Sequence, residues 1–313
     1  MDKTAKIYVA GHRGLVGSAL LRRLQHEGYA NLVVKTSREL DLRRQADVES
    51  FFQKERPEYV FLAAARVGGI LANSTYKADF IYDNIMIASN VINASYKAGV
   101  KKLLNLGSSC IYPKLAHQPM KEEYLLTGPL EQTNEPYAVA KIAAIKLCRY
   151  YNEQYGTNFI SVMPTNVYGP NDNFDLESSH VLPALIRKFH ESKAEGRPSV
   201  TVWGSGKPFR EFLYVNDLAD ACLFLMERYA YRQVGEFINI GTGKDITIKD
   251  LALMIRDIVG FQGSIEHDLS KPDGTPKKLL DVSRMAELGW KAKTNLEDGI
   301  KKTYEFYLRE VAR

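Results

Sequence analysis

The sequence has few cysteines, little excess charge of one sign and no low-complexity segment, and each absence excludes a class of protein. Three of its 313 residues are cysteine, too few for a disulfide framework, so we expect a reducing compartment. Lys and Arg number 42 against 37 Asp and Glu, a net charge of +5. This modest, dispersed excess suits an anionic ligand but does not indicate nucleic acid. A hydrophobic content of 45% excludes a disordered chain.

Long apolar runs are also missing. A membrane-spanning helix needs roughly 18 or more apolar residues, and the most apolar stretch, residues 59–72, is interrupted by Arg66. The first residues lead directly into a strand-like run at residues 7–10, without the apolar core of a signal peptide. We therefore expect a cytoplasmic protein that binds neither membrane nor nucleic acid.

Short β-prone runs alternate with amphipathic stretches of helical length. Continuous apolar runs such as residues 60–63 are typical of parallel strands buried on both faces. The alternation predicts an α/β fold, a Rossmann-type doubly wound parallel sheet with a smaller C-terminal substrate-binding domain. The predicted strands are 5–10, 31–35, 59–63, 102–107 and 158–163, and the predicted helices are 14–28, 44–55, 78–98 and 137–155.

Beyond residue 164 the alternation becomes less regular, and loops rich in Gly, Pro, Asn and Asp appear. We expect residues 1–165 to form the dinucleotide-binding domain, with residues 212–245 returning to it. Residues 166–211 and 246–313 then form the substrate-binding domain. In this fold class ligands bind at the carboxyl ends of the strands, so the second domain should cover that edge.

Three glycines lie between the first predicted strand and the first predicted helix. Gly11, Gly14 and Gly17 have the spacing G-x-x-G-x-x-G rather than the commoner G-x-G-x-x-G. In such a turn the first glycine permits the tight bend and the second lets backbone N–H groups approach a pyrophosphate. The third lets the helix pack closely on the strand. The position of these glycines predicts a dinucleotide site.

The end of the second predicted strand indicates which dinucleotide binds. Residues 34–38 read Val-Lys-Thr-Ser-Arg, without the acid that usually binds the ribose 2′-hydroxyl of NAD. Lys35 and Arg38, with Arg13 in the glycine turn, suit a 2′-phosphate. We therefore expect NADP(H), the alternative being an ordinary solvated basic face.

Tyr137 and Lys141 are four residues apart, on one face of a predicted helix. A tyrosine with a pKa near its usual value of about 10 is a poor acid or base at neutral pH. A neighbouring cation is expected to lower that pKa and prepare the hydroxyl for proton transfer. The pair begins the helix that follows the strand ending at Ser108, whose hydroxyl is expected to join Tyr137 on a substrate carbonyl. These three residues predict an oxidoreductase.

The sequence resembles the extended short-chain dehydrogenase/reductases that act on nucleotide sugars. The most specific segments are residues 107–114, Gly-Ser-Ser-Cys-Ile-Tyr-Pro-Lys, and residues 163–170, Met-Pro-Thr-Asn-Val-Tyr-Gly-Pro. The resemblance extends over almost the whole chain and is greatest to the bifunctional epimerase/reductases of GDP-sugars. It implies NADPH-dependent 3,5-epimerisation and 4-keto reduction of GDP-4-keto-6-deoxy-D-mannose to GDP-L-fucose, by a homodimer.

The resemblance also implies roles for individual residues: Cys110 as the base of epimerisation and His180 as its partner acid. Cys148 and Cys222 lie in helix-like apolar stretches and are expected to be core residues. The implied catalytic residues are Ser108, Cys110, Tyr137, Lys141 and His180. The implied cofactor contacts are Gly11, Arg13, Gly14, Leu15, Val16, Gly17, Lys35, Ser37, Arg38, Asp41, Leu42, Ala64, Leu106, Gly107, Lys141, Pro164, Asn166, Val167 and His180.

The implied substrate contacts lie mainly in the second predicted domain, and no metal is expected. Lys188, Arg210 and Lys277 offer cations for a diphosphate, and Trp203 is expected to pack on the base or ribose, although a place in the core is the alternative. The implied substrate contacts are Ser108, Ser109, Cys110, Val181, Lys188, Trp203, Arg210 and Asp273.

Two other functions use the same residues. A nucleotide-sugar 4-epimerase or 4,6-dehydratase shares the fold, but a dehydratase needs an acid beside the first serine, where this chain has Ser109 and Cys110. A non-catalytic NADP-sensing protein has no need of the Tyr–Lys pair, which this chain retains. Consumption of one NADPH per product would exclude the 4-epimerase and the dehydratase. Loss of activity in Tyr137→Phe would exclude the NADP-sensing protein.

Overall fold

Strands and helices alternate along the chain in the computed structural model, which describes residues 1–271 and 273–312 and only the backbone at residues 70 and 71. The strands are β1 (Ile7–Ala10), β2 (Leu32–Val33), β3 (Tyr59–Leu62), β4 (Lys102–Leu106), β5 (Phe159–Pro164), β6 (Asn166–Tyr168), β7 (Ser199–Trp203), β8 (Phe209–Tyr214), β9 (Ile238–Ile240), β10 (Asp245–Thr247), β11 (Ser264–Asp268) and β12 (Lys277–Lys278). The helices are α1 (Leu15–His26), α2 (Gln45–Glu55), α3 (Ile70–Thr75), α4 (Lys77–Lys97), α5 (Glu135–Tyr155), α6 (Val181–Ala194), α7 (Val215–Arg228), α8 (Tyr231–Val234), α9 (Ile248–Val259), α10 (Ser283–Glu287) and α11 (Leu296–Glu310).

A parallel six-stranded sheet, the main sheet, has the order β2-β1-β3-β4-β5-β9. Alternate side chains of β1 enter two different cores: Ile7 and Val9 pack with α1 and α7, while Tyr8 and Ala10 pack with α2, α4 and α5. Because side chains alternate across a strand, both faces of the sheet are covered by helices. The predicted Rossmann-type doubly wound fold is confirmed.

The predicted elements of this half begin and end within two residues of the observed ones, and at β2 the strand is shorter than predicted. The prediction was residues 31–35, whereas the strand spans only Leu32–Val33. It lies at the edge of the main sheet and pairs with β1 alone, so a short strand limits the unpaired backbone exposed there. Cys148 and Cys222 lie fully buried in α5 and α7, as expected.

A second set of strands centres on β8. This strand pairs with β6 and β12 in parallel and with β10 antiparallel. The pair β7–β11 and the helices α6, α9 and α11 surround a separate core. One residue, Thr165, separates β5 of the main sheet from β6, so the second set continues from the carboxyl edge of the main sheet.

The chain then returns to the main sheet through α7, which packs on α1, and β9, which pairs with β5. The division into two domains with the stated boundaries stays a prediction. Among residues 1–271 and 273–312, no helix has both the length and the apolar character that crossing a bilayer demands.

Candidate active site

The glycine turn after β1 is packed too tightly for larger residues at two of its three glycines. Gly11 has a φ of +84°, and a Cβ there would lie 2.7 Å from the backbone nitrogen of Ala64. A Cβ on Gly17 would lie 2.1 Å from the carbonyl oxygen of Gly11. Gly14 precedes α1 without a capping side chain, which leaves the first N–H groups of this helix free to face a phosphate. The turn therefore fits a dinucleotide pyrophosphate.

We expect Gly17→Ala to lower the free energy of unfolding by about 1–3 kcal/mol, because its methyl group would meet backbone that cannot move aside. Binding of NADP⁺ should weaken with it. Urea unfolding and a titration with NADP⁺ measure the two effects. Gly14→Ala is the matched control: its Cβ would lie 3.5 Å from the Gly11 oxygen and its φ is −78°, so stability should be kept. Equal stability losses in both variants would contradict this account of the turn.

The other predicted cofactor residues lie along one edge of the main sheet. Lys141 on α5 donates from Nζ to the carbonyl oxygen of Leu106 at 2.8 Å, which ties the helix to the end of β4. Asn166 donates from Nδ2 to the carbonyl oxygen of Glu211 at 2.8 Å. The residues at this edge are Leu15 and Val16 at the start of α1, Ala64 after β3, Leu106 and Gly107 at the end of β4, Pro164 at the end of β5, and Asn166 and Val167 in β6. Their contacts with a cofactor stay predictions.

The residues predicted to surround the adenosine end lie beyond β2. Arg13, Ser37 and Arg38 are exposed and Lys35 is half-buried. The carboxylate of Asp41 accepts hydrogen bonds from the guanidinium of Arg43 at 2.8 and 2.9 Å and is therefore already engaged. Leu42 packs against the core that faces α2, α4 and α5.

Four polar groups converge where β4 ends and α5 begins. The Ser108 hydroxyl accepts from the backbone N–H of Cys110 at 3.4 Å, and it lies beside the Cys110 thiol and the Tyr137 hydroxyl. Nζ of Lys141 lies 5.6 Å from the centre of the Tyr137 ring. A serine, a thiol, a phenol and an ammonium are thus gathered at one point, and their catalytic roles stay predictions.

Burial dominates the acidity of these groups. It raises the pKa of Tyr137 and of Cys110, and it lowers the pKa of Lys141 to about 8. The pKa of Tyr137 was expected to be lowered by the neighbouring cation and is instead raised, mainly by burial and then by the charge of Cys110. For Cys110 the cations of Lys278 and Lys141 and the hydrogen bond from Ser108 oppose the burial. Burial nevertheless prevails, so the net pKa of Cys110 is raised and the thiol is favoured over the thiolate.

A cleft of about 310 Å³ opens between the main sheet and the second set of strands. His180 lies at its wall, immediately before α6, and its pKa is lowered by the surrounding protein and by the charge of Lys278. With a lowered pKa the imidazole is mainly neutral at pH 7, so it accepts a proton first and can then donate it. The predicted residues that line the cleft are Asn166, Val167, His180, Val181, Lys188, Trp203, Arg210 and Asp273. Ser109 is buried in the 3₁₀ turn after Ser108.

Trp203 presents an aromatic face to this cleft rather than entering the core. It is 49% exposed, and Nζ of Lys188 and of Lys271 each lie 5.2 Å from its ring centre. Asp273 is held by the backbone N–H and the hydroxyl of Ser205 at 2.6 and 2.7 Å. Hydrogen bonds from Ser205 lower the pKa of Asp273. Cations beside an aromatic ring and an ionised carboxylate suit a nucleotide with its phosphates.

A family model for the NAD dependent epimerase/dehydratase family matches residues 7–241. The chain belongs to this family. It is 61% identical over 310 residues to GDP-L-fucose synthase 1 of Arabidopsis thaliana, covering 99% of this chain and 95% of that protein. It is 54% identical over 314 residues to GDP-L-fucose synthase of Escherichia coli K12, covering 98% of each. A GDP-L-fucose synthetase structure from Naegleria fowleri bound to NADP superposes with a TM-score of 0.91 at 34% identity, covering 100% of this chain and 96% of that one.

One cation of this epimerase/dehydratase family member was missed in the sequence. Lys278 lines the cleft, and its charge acts on both Cys110 and His180. Its neighbour Lys277 was predicted as a cation for the diphosphate, but the Lys277 ammonium pairs with Asp245 at 3.1 Å. In a strand two consecutive lysines point to opposite faces, and the sequence alone does not show which face meets the cleft.

Unpartnered oxygen atoms at the cleft wall were missed as well. Within the described chain, Asn73 Oδ1, Asn134 Oδ1 and Ser179 Oγ are buried without a hydrogen-bond partner, and all three residues line the cleft. The amide nitrogen of Asn73 donates to the carbonyl oxygens of Gly68 and Gly69 at 2.6 and 3.0 Å, which turns its oxygen away from them. Buried polar atoms usually have partners, so these groups are available to hydroxyls of a ligand.

The fully buried carboxylate of Glu211 fixes the strand that carries Lys278. It accepts from the backbone N–H groups of Thr242, Gly243 and Leu280 at 2.6, 2.7 and 2.9 Å. These bonds join β8 to the loop after β9 and to the segment following β12. Through these hydrogen bonds, Glu211 holds the second set of strands to the main sheet.

We expect Glu211→Gln to lower the free energy of unfolding by about 1–3 kcal/mol, because the amide nitrogen would face a backbone N–H and leave a buried donor unsatisfied. Urea unfolding measures the change. Glu266→Gln on the exposed face of β11 is the control and should stay within about 0.5 kcal/mol of the parent protein. If the urea unfolding curves of the two variants had the same midpoint and slope, Glu211 would not have this stabilising role.

Proposed function

We propose that this protein is a GDP-L-fucose synthase, which converts GDP-4-keto-6-deoxy-D-mannose to GDP-L-fucose by 3,5-epimerisation and 4-keto reduction with NADPH. The observation that carries the proposal is that Ser108, Cys110, Tyr137 and Lys141 gather at the end of β4, while Lys278, which lines the cleft with His180, acts on both Cys110 and His180. Ser108, Tyr137 and Lys141 suit carbonyl reduction, while Cys110 and His180 suit removal and return of protons. The similarity to the curated relatives over almost the whole chain supports the same activity.

The cofactor is held by the glycine turn and by the cations beyond β2. The free N–H groups at the start of α1 bind the pyrophosphate, and Arg13, Lys35 and Arg38 bind the 2′-phosphate. Bound NADPH supplies the hydride for carbon 4. Lys141, whose ammonium already lies beside the Tyr137 ring, holds the nicotinamide ribose.

In the epimerisation, Cys110 as a thiolate removes the proton from carbon 3 and, in a second event, from carbon 5. Both protons are acidic because they are adjacent to the 4-keto carbonyl. Ser108 and Tyr137 donate hydrogen bonds to the enolate oxygen, which places donors where negative charge develops. His180, as an imidazolium, donates a proton to the opposite face of each carbon. Before the second event the Cys110 thiol gives its proton to solvent and His180 takes one from solvent, and the charge of Lys278 favours the thiolate.

In the reduction, Tyr137 donates its proton to the oxygen at carbon 4, while Ser108 holds that oxygen. The buried Tyr137 is protonated at neutral pH because burial raises its pKa, so it begins the step as an acid. The ammonium of Lys141 stabilises the phenolate that the step leaves behind.

The nucleotide lies along the second set of strands. Lys188 and Arg210 bind the diphosphate, Trp203 packs on the base, and Asp273 accepts hydrogen bonds from the nucleoside. Val181, at the first turn of α6 beside His180, contacts the sugar. The specificity for guanine follows from the similarity to the relatives.

Incubation with GDP-4-keto-6-deoxy-D-mannose and NADPH tests the proposal, with the product identified by NMR. We expect GDP-L-fucose and one NADPH consumed per product. A product that keeps the manno configuration at carbons 3 and 5 would make the protein a 4-reductase. Turnover without NADPH consumption would make it a 4-epimerase or dehydratase, and binding without turnover a sensor.

We also propose that the enzyme acts in the cytoplasm as a homodimer. A free thiol as the catalytic base requires a reducing compartment, and Cys110 is unpaired with any other cysteine. Exposed apolar side chains on α4 and α5, Tyr82, Val139 and Tyr150, support an interface there. Sedimentation of the protein at micromolar concentration measures its oligomeric state.

A further inference from the structure

The turn after β2 places an acid among the cations of the predicted 2′-phosphate site. Glu39 lies just beyond residues 34–38, and its carboxylate folds back toward the strand end. Oε2 accepts from the backbone N–H and the hydroxyl of Thr36 at 2.8 and 2.7 Å. Oε1 lies 3.9 Å from Nζ of Lys35. An acid therefore lies beside the end of β2, and the turn places it there although the strand itself contains none.

Glu39 is exposed and ionised. The hydrogen bonds from Thr36 lower the pKa of Glu39, and the charges of Lys35 and Arg13 act in the same direction. The residues predicted to bind the extra phosphate thus include three cations, Arg13, Lys35 and Arg38, and a neighbouring carboxylate. That carboxylate acts electrostatically on two of the three cations.

A carboxylate has opposite effects on the two forms of the cofactor. It only accepts hydrogen bonds, so it can bind the ribose 2′-hydroxyl of NAD(H), as acids at the end of this strand do in NAD sites. It repels the 2′-phosphate of NADP(H) and reduces the attraction of Lys35 for that phosphate.

We infer that Glu39 is a specificity-determining residue that limits the preference of this enzyme for NADP(H) over NAD(H). The three cations select the phosphate, and Glu39 weakens that selection while giving the unphosphorylated ribose a partner. The inference rests on the proposed function, in which this strand end binds the adenosine half of the dinucleotide.

The test is Glu39→Gln, which removes the charge but keeps an oxygen for the N–H and hydroxyl of Thr36. Dissociation constants for NADP⁺ and NAD⁺ are measured by calorimetric titration of the full-length protein at fixed ionic strength, without turnover. We expect NADP⁺ to bind roughly three- to tenfold more tightly and NAD⁺ more weakly than in the parent protein. Raising the salt concentration should reduce the gain for NADP⁺ because the charges are exposed.

The control is Glu49→Gln on α2, whose carboxylate pairs with Lys97 at 2.9 Å away from the β2 turn. It should bind both dinucleotides as the parent protein does. If Glu39→Gln leaves the ratio of the two dissociation constants unchanged, or weakens NADP⁺, the inference is overturned. If the parent protein itself binds neither dinucleotide, the proposed function fails first.

Discussion

Cys110→Ser is expected to abolish the incorporation of solvent deuterium at carbons 3 and 5 of GDP-4-keto-6-deoxy-D-mannose. The serine hydroxyl has nearly the shape of the thiol but does not ionise at neutral pH, so the base is lost. The rate of exchange should fall roughly 10²- to 10⁴-fold. Reduction should continue, because Ser108, Tyr137 and Lys141 remain, and the product should keep the manno configuration. Mass spectrometry of substrate recovered from deuterium oxide measures the exchange, and NMR identifies the product.

Cys148→Ser is the matched control for this experiment. Cys148 lies fully buried in α5, beside the Ser161 side chain and in the core that α5 shares with α2 and α4. Its exchange rate should equal that of the parent protein. Because burial raises the pKa of Cys110, exchange in the parent protein should also accelerate as the pH rises above neutral. Normal exchange in Cys110→Ser would remove this residue from the mechanism.

Tyr137→Phe is expected to have the opposite phenotype. Without the phenolic proton donor, NADPH oxidation should slow roughly 10²- to 10⁴-fold. Deuterium exchange should slow less, because Ser108 still donates to the enolate oxygen. The ring itself should stay in place, since it contacts Phe80 edge to face at 6.4 Å between centres. The loss of NADPH absorbance and the deuterium content of the substrate measure the two half-reactions in one sample.

The matched control is Tyr150→Phe, an exposed tyrosine on the same helix. It should oxidise NADPH at the parental rate. Undiminished NADPH oxidation by Tyr137→Phe would instead favour the view that the Tyr–Lys pair has no catalytic role, as in a dinucleotide sensor.

Much of the first half of the molecule could be predicted because its signals are local. The glycine turn is predictable since only glycine fits where a Cβ on Gly17 would meet the Gly11 oxygen at 2.1 Å. Tyr137 and Lys141 share a helix face by spacing alone. Apolar runs identified β1, β3, β4 and β5 because each is buried on both faces.

The remaining parts depend on contacts between distant segments. Lys278 and Cys110 are 168 positions apart in the sequence. The charge of Lys278 acts on Cys110 because β12 pairs with β8, and no local sequence pattern predicts that pairing. Glu211 is a charged residue in a strand, and its three backbone partners come from two other segments. Glu39 was missed for a different reason. It follows the strand end in sequence, and only the turn at Thr36 brings its carboxylate back beside that strand end.

The catalytic groups are divided unequally between the two sets of strands. Everything assigned to reduction follows β4 or lies on α5, within the main sheet and its helices. The epimerising groups are split: Cys110 belongs to the main sheet side, whereas His180 begins α6 and Lys278 lies on β12. A displacement of one set of strands relative to the other would therefore separate the proposed base from the proposed acid, whereas Ser108, Tyr137 and Lys141 would keep their arrangement. With the proposed roles, the fit between the two sets of strands decides the stereochemical outcome by setting the positions of Cys110 and His180 on opposite sides of the sugar.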